Sequence, residues 1–246
     1  MNDKVKDERE MPFLDHLEEL RWRLIKCIVA VMIMMIICFV FADKLLDILM
    51  YPGQRLNPPI KLQALKVQSI FMIELELSII AGCILSLPVI FYQFWQFLAP
   101  GLLLKERKLI PAIVVASVMC FLIGVAFGYF VIIPYALEFF LKLAPSNIEN
   151  NIAIDFYIGF LLRMVLVFGI VFELPMLSLL LTKIGLLTPQ FMRKYRRHAI
   201  VMAFIVGAVL TPPDPLTQIF LAVPLVFLYE ISIWVSVLFA PKKVNT

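Results

Sequence analysis

Residues 109–133 carry no charged side chain. A run of that length exceeds the ~18 apolar residues that mark a membrane-crossing helix. Such runs recur along the chain. Apolar residues make up 62% of it and charged residues 16%, against roughly 45–50% and 25% in a soluble domain. Little chain remains for a soluble domain. The expectation is an all-α polytopic membrane protein, one integral membrane domain over residues 1–246. The N-terminus does not read as a cleavable signal. Its leader is long and partly acidic (Asp3, Asp7, Glu8, Glu10), the apolar run behind it is too long, and no small-x-small site follows.

Six spans are expected, at about residues 24–42, 71–94, 109–133, 156–181, 198–210 and 216–239, between cytoplasmic tails 1–23 and 240–246. The second starts late, because Glu74 and Glu76 sit in its first turn; its core is 77–91, bent near Pro88. The fifth is short. Between Arg197 and Thr211 lies roughly 20 Å of helix, less than a ~30 Å hydrocarbon core. Either the bilayer thins there, or spans five and six form a short hairpin. The turn Thr211-Pro212-Pro213-Asp214-Pro215 is stiff and cannot continue a helix.

Charge sets the orientation. Of the 22 Lys and Arg residues, 16 fall in the two tails and in the loops after spans two and four. Five fall on the opposite side, and Arg163 lies within a span. The positive-inside rule then puts both termini in the cytoplasm.

The four cysteines, Cys27, Cys38, Cys83 and Cys120, all fall in apolar helices and read as small buried hydrophobes, not as disulfides or a metal set. His16 and His198 are far apart and lack metal-ligand spacing. No Walker A loop, HExxH or nucleophile elbow is present, so no enzyme, metal or cofactor is expected, and nothing points to nucleic acid. Gly124-x-x-x-Gly128 fits close helix packing. The two halves share no convincing repeat, unlike many secondary transporters.

Three ionisable residues lie inside spans and each needs an explanation. Glu173, in Phe172-Glu173-Leu174-Pro175, is flanked by apolar turns, and Pro175 loosens the helix beside it. Burial penalises its charged form. It serves either function or a hydrogen bond to a neighbouring helix. Arg163 lies about two turns into the same span and can snorkel outward. Glu230 suits a structural hydrogen bond at least as well as a function.

Two further segments are polar at the membrane edge. In the N-terminal helix, Phe13, Leu17, Leu20 and Leu24 form one apolar face, and Asp15, Glu18 and Glu19 occupy the rest. An acid at the mouth of a membrane helix suggests a site for something cationic; the alternative is an i,i+4 pair of Glu19 with Arg23. After the second span comes Tyr92-Gln93-Phe94-Trp95-Gln96-Phe97-Leu98-Ala99-Pro100-Gly101. Its aromatics suit an interfacial belt, and Pro100-Gly101 stops the helix. Glu106 follows among Lys105, Arg107 and Lys108, where a local salt bridge is the alternative to a site.

Taken together these segments resemble the TatC family, the multi-span core of the twin-arginine protein translocase. The resemblance runs from His16 to about Glu230. It rests on His16-Leu17-x-Glu19-Leu20-Arg21-x-Arg23-Leu24, Tyr92-Gln93-x-Trp95-x-Phe97-x-Ala99-Pro100, Glu106-Arg107, Phe172-Glu173-x-Pro175, and Thr211-Pro212-Pro213-Asp214 with Gln218. It implies a concave, glove-like bundle with short fifth and sixth spans in the cytoplasmic (inner) membrane. It implies a receptor and scaffold that binds twin-arginine signal peptides of folded cargo at the cytoplasmic face. The receptor would recruit single-span TatA-type and TatB-type subunits, contact membrane lipids, assemble as a homo-oligomer, and use the proton-motive force. By the resemblance, Glu19, Arg21, Phe97, Glu106 and Arg107 belong to signal recognition and Glu173 is the intramembrane acid. Pro52, Asp214 and Gln218 belong to partner contacts.

The chemistry agrees, since two adjacent guanidiniums are best read by carboxylates through planar, charge-assisted hydrogen bonds. The other function class is a proton-coupled secondary transporter using Glu173 as its proton site.

Overall fold

A computed structural model describes residues 13–56, 59–98, 107–108, 110–143, 151–210 and 215–239. Helix dominates it. α1 (Phe13–Val40) joins the amphipathic N-terminal segment and the first apolar run in one rod, which packs along α3 (Ser69–Leu98). Glu74 and Glu76 do not delay α3, which starts five residues before the first of them. Ser69 at its start is buried and donates to Asp155 Oδ2 at 2.9 Å.

Between them lies α2 (Ala42–Gln54), where a loop was expected. It buries Ala42, Leu46, Leu49, Pro52 and Gly53 along one face. Tyr157 fixes its end, because its Oη accepts from the Gly53 N–H at 3.0 Å and donates to the Leu49 carbonyl at 3.3 Å. Two short strands, β1 (Lys61–Gln63) and β2 (Asn151–Ala153), pair in parallel, Lys61 opposite Asn151, and so tie two loops on this side together.

The third apolar run is longer than its expected end at 133. It comprises α4 (Ile110–Phe127), a wider π turn (Gly128–Ile132) and α5 (Ile133–Leu143). Pro134 has no N–H for the carbonyl four residues back, and the π turn just before it absorbs that mismatch. Past the apolar run α5 stays helical because it becomes amphipathic, burying Ile133, Ala136 and Leu137, with Lys142 bonded to Glu138 at 2.6 Å on its exposed side.

α6 (Ile154–Val171) and α7 (Leu174–Lys183) are one span broken at Phe172-Glu173. Close approach of α4 and α6 depends on glycine. A Cβ on Gly124 would overlap the Phe168 carbonyl and stand 2.8 Å from Phe172 Cβ; one on Gly169 would stand 2.5 Å from the Phe121 ring. The small-xxx-small spacing is therefore a packing seam, as expected. Gly124→Val is expected to cost about 1–3 kcal/mol by overpacking, seen as a lower thermal midpoint of the detergent-solubilised protein. A variant as heat-stable as the parent would show that the seam is loose.

A turn at Gly185 (φ 78°) leads to α8 (Pro189–Lys194), capped where Thr188 Oγ1 accepts from the Phe191 N–H. α9 (Arg196–Leu210) and α10 (Pro215–Phe239) form the last hairpin. Small hydroxyls join α7 to α10: Ser178 Oγ donates to the Ser232 carbonyl at 3.0 Å, and Thr182 bonds Ser236 at 2.7 Å. Such bonds hold apolar helices together in lipid, where burial offers no driving force.

Among the described residues, five segments are long and apolar enough to cross a membrane: His16–Val40, Ser69–Leu98, Ile110–Leu143, Ile154–Lys183 and Gln218–Phe239. The fifth expected span is α9. Its 15 residues cover roughly 22 Å, short of the hydrocarbon thickness, so the shortness read from the sequence is a property of the helix. The main core runs between α6, α10, α2, the start of α5 and the N-terminal part of α3. A smaller one gathers Trp95, Ile110, Val114 and Leu180. Trp95 is 2% exposed and is a packing residue, whereas its neighbours Tyr92 and Phe94 are exposed.

Candidate functional site

Two polar places stand out. The first lies where the N-terminal half of α1 meets the C-terminal end of α3. The register of these helices stacks the His16 ring on Phe97, centroids 4.3 Å apart and nearly coplanar at 16°. One turn along α1, Glu19 and Arg23 are i,i+4 neighbours. Arg23 Nε donates to Glu19 Oε1 at 2.9 Å and Nη2 donates to the same oxygen. Arg23 Nη1 reaches across to Gln93 Oε1 at 3.2 Å. The other carboxylate oxygen, Glu19 Oε2, is buried with no hydrogen-bond partner among the described residues, and His16 Nδ1 lies 3.7 Å from it.

The structure shows the local pairing of Glu19. The local pair with Arg23 forms, and it uses only one oxygen. The second oxygen is an acceptor in want of a donor, held next to the exposed end of the helix pair. Phe97 joins the cluster through His16. Arg21 is exposed and lies two residues from Glu19, a spacing that puts it on another face of the helix. Arg107 is also exposed. Glu106 lies outside the described residues. On sequence alone Arg23 has its pairing role with Glu19, and His16 and Gln93 have none. The i,i+3 and i,i+4 spacings to Glu19 were the available signal for two of them. Nothing local signalled Gln93, whose partner is 70 residues away.

The second place is the break in the α6–α7 span. Glu173 is the junction residue. Its backbone N–H reaches the Ile170 carbonyl, and its own carbonyl accepts from Leu177, while Pro175 has no N–H to continue the ladder. The carboxylate stands beside Ser117 and the Phe121 backbone of α4. One oxygen, Oε1, is buried and has no hydrogen-bond partner among the described residues. The group opens onto a groove of about 390 Å³ walled by Phe91, Phe94, Phe121 and Leu177. An acid with a spare acceptor in an apolar groove can hold a polar group of another membrane helix.

Pro52 is buried in the last turn of α2, so any effect of it on a partner acts through the position of α2. Gln218 donates from Nε2 to the Phe204 carbonyl at 3.0 Å and lies against Gly207, bracing the α9–α10 hairpin near its turn. Asp214 lies outside the described residues. Glu230 has the structural role expected, pairing with Arg196 Nη2 at 2.8 Å across the other end of that hairpin.

Residues 15–224 match the model of the family described as Sec-independent protein translocase protein (TatC). The chain belongs to the TatC family. It is thus a component of the Sec-independent, twin-arginine protein translocase, not an enzyme, and the transporter alternative is set aside. Similar members include the TatC proteins of Desulforapulum autotrophicum, 38% identical over 97% of this chain and 88% of its own length, and of Aquifex aeolicus, 38% identical over 95% and 98%. The TatC protein of Escherichia coli K12 is 37% identical over 97% and 93%. A crystal structure of the twin-arginine translocase receptor TatC superposes with a TM-score of 0.83 at 38% identity, over 91% of this chain and 98% of that one. The membership rests on nearly the whole length, so both polar places lie on a TatC scaffold.

Proposed function

We propose that this chain is the receptor of the translocase, binding the twin-arginine signal peptide of a folded protein at the cytoplasmic end of α1 and α3. The observation that carries the reading is Glu19, a carboxylate held by a tertiary network with one oxygen still unpartnered. The signal's guanidiniums take that oxygen and Glu106, and one of them exchanges for Arg23 on the oxygen that Arg23 now occupies. Phe97 stacks on a guanidinium face once His16 swings aside, an attraction that favours arginine over lysine. Arg21 and Arg107 flank the site and repel cationic peptides that cannot satisfy both acids.

The same proposal has six spans with both termini in the cytoplasm, supported by the lysine and arginine asymmetry. It has the single domain lying in the inner membrane. Single-span TatA-type and TatB-type subunits engage Glu173 and the α9–α10 hairpin with Asp214 and Gln218, while Pro52 sets the α2 cap. Several copies assemble around them, and the proton-motive force drives transport.

The direct test is photo-crosslinking of a twin-arginine signal peptide from probes at positions 19, 97 and 106. Adducts are expected at all three, lost when the arginine pair is replaced by glutamines. Adducts at none of the three would move recognition elsewhere on the cytoplasmic face.

A further inference from the structure

Arg163 is a cation well inside an apolar span that the translocase reading leaves unused. It lies on the face of α6 turned away from the bundle. Phe156, Arg163 and Ile170 recur at a spacing of seven, which is one stripe of a helix, and all three are exposed, Phe156 at 75% and Ile170 at 57%. The opposite face, with Ile158, Leu161 and Phe168, is fully buried. The stripe therefore meets lipid acyl chains, and a guanidinium in its middle needs an anionic partner.

No ion pair or hydrogen bond of Arg163 occurs among the described residues. The one acid of α6, Asp155, is turned to Ser69 of α3. The guanidinium instead lies back along its own helix. Its Nη2 is 3.2 Å from where a Cβ on Gly159 would be, so Gly159 leaves the notch that lets the side chain run toward the start of α6. Depth then identifies the partner. The Ile154–Lys183 segment spans roughly 45 Å. Centred on a ~30 Å hydrocarbon core, it leaves about 7 Å beyond the core at each end. The Arg163 backbone, about 13 Å from Ile154, is then about 6 Å inside the core. Folding back by one helical turn, about 5 Å, returns the guanidinium to the core boundary, next to the headgroup layer that holds the phosphates.

We propose that Arg163, seated over Gly159, binds the phosphate of a phospholipid headgroup in the leaflet on the β1–β2 side of the bundle. That is the outer leaflet in the proposed orientation; the site itself does not depend on the signal-peptide reading. The acyl chains run along the Phe156–Ile170 stripe. A guanidinium matches phosphate by paired, planar hydrogen bonds. Arg163→Lys keeps the charge and loses the fork.

The test is native mass spectrometry of the purified full-length chain in detergent, titrated with phosphatidylglycerol, with diacylglycerol of the same chains, and with inorganic phosphate. The wild-type chain is expected to retain phosphatidylglycerol and not diacylglycerol. Arg163→Leu, an apolar residue on a lipid face and so compatible with folding, is expected to bind phosphatidylglycerol roughly fivefold more weakly, with Arg163→Lys intermediate. Equal retention by Arg163→Leu overturns the proposal. Displacement of the lipid by millimolar inorganic phosphate reassigns the site to free phosphate, and loss of a co-purifying single-span protein without loss of lipid reassigns it to a partner's carboxylate. Signal-peptide binding is read on the same samples. Its failure in the wild-type chain counts against the receptor reading, and its persistence in Arg163→Leu separates the two sites.

Discussion

Glu19→Ala binds a twin-arginine signal peptide roughly ten- to a hundredfold more weakly than the parent chain, while remaining inserted and folded. The magnitude is that of a charge-assisted hydrogen-bond pair, about 1.5–3 kcal/mol. Folding tolerates the change because Glu19 is bonded mainly to Arg23 on its own helix, a contact worth a few tenths of a kcal/mol. Glu106→Ala behaves alike, and Glu106→Arg is worse because it sets a cation against the arginine pair. Arg23→Gln moves the other way. Removing the internal guanidinium frees Glu19 Oε1, and the gain, limited by the weak local pair, is about twofold. Fluorescence-polarisation titration of a labelled signal peptide against each detergent-solubilised variant measures all four. If Glu19→Ala and Glu106→Ala both titrate like the parent, recognition does not use these acids. If only Arg23→Gln fails to tighten binding, Arg23 braces the helices through Gln93 and does not hold the place of a ligand.

Glu173→Leu abolishes most assembly with single-span partner subunits, and with it transport, while signal-peptide affinity is unchanged. The carboxylate has a buried oxygen without a partner at the mouth of an apolar groove, and Leu removes the only acid at that helix break. The two readouts separate because Glu173 belongs to the α6–α7 junction, whereas Glu19 is held by α1 and α3. Glu173→Gln keeps the size and a hydrogen-bonding group, so co-purification of partners falls by less than about fivefold, the worth of one neutral hydrogen bond. Should the Gln variant be as inactive as the Leu variant while still holding its partners, proton exchange at this carboxyl is the function and the anchor role is wrong.

Much of this molecule is settled by one-dimensional patterns. Apolar runs too long for a soluble core dictate helices, since in lipid every backbone N–H and C=O must be paired within the segment. The span 109–133 and the short stretch between Arg197 and Thr211 are legible for that reason, and so is the Gly124–Gly128 seam, because small residues one turn apart always share a face. The acids also declare themselves, because an ionised group near hydrocarbon has few explanations.

What the patterns do not contain is contact across the bundle. α2 was missed because thirteen residues with a Pro and a Gly near the end look like a loop, and only burial of Leu46 and Leu49 with the Tyr157 hydroxyl on Gly53 makes them a helix. The extension of α4 into α5 depends on packing in the same way. Trp95 looks interfacial in a run of aromatics and is core, since α3 turns it toward Ile110 and Leu180. At the candidate site the sequence names Glu19 and Phe97. Only the crossing of α1 over α3 decides that His16 lies between them, that Gln93 holds Arg23, and that one carboxylate oxygen is left over. Side-chain geometry between helices is set by their register and crossing, and no spacing within a single helix encodes either.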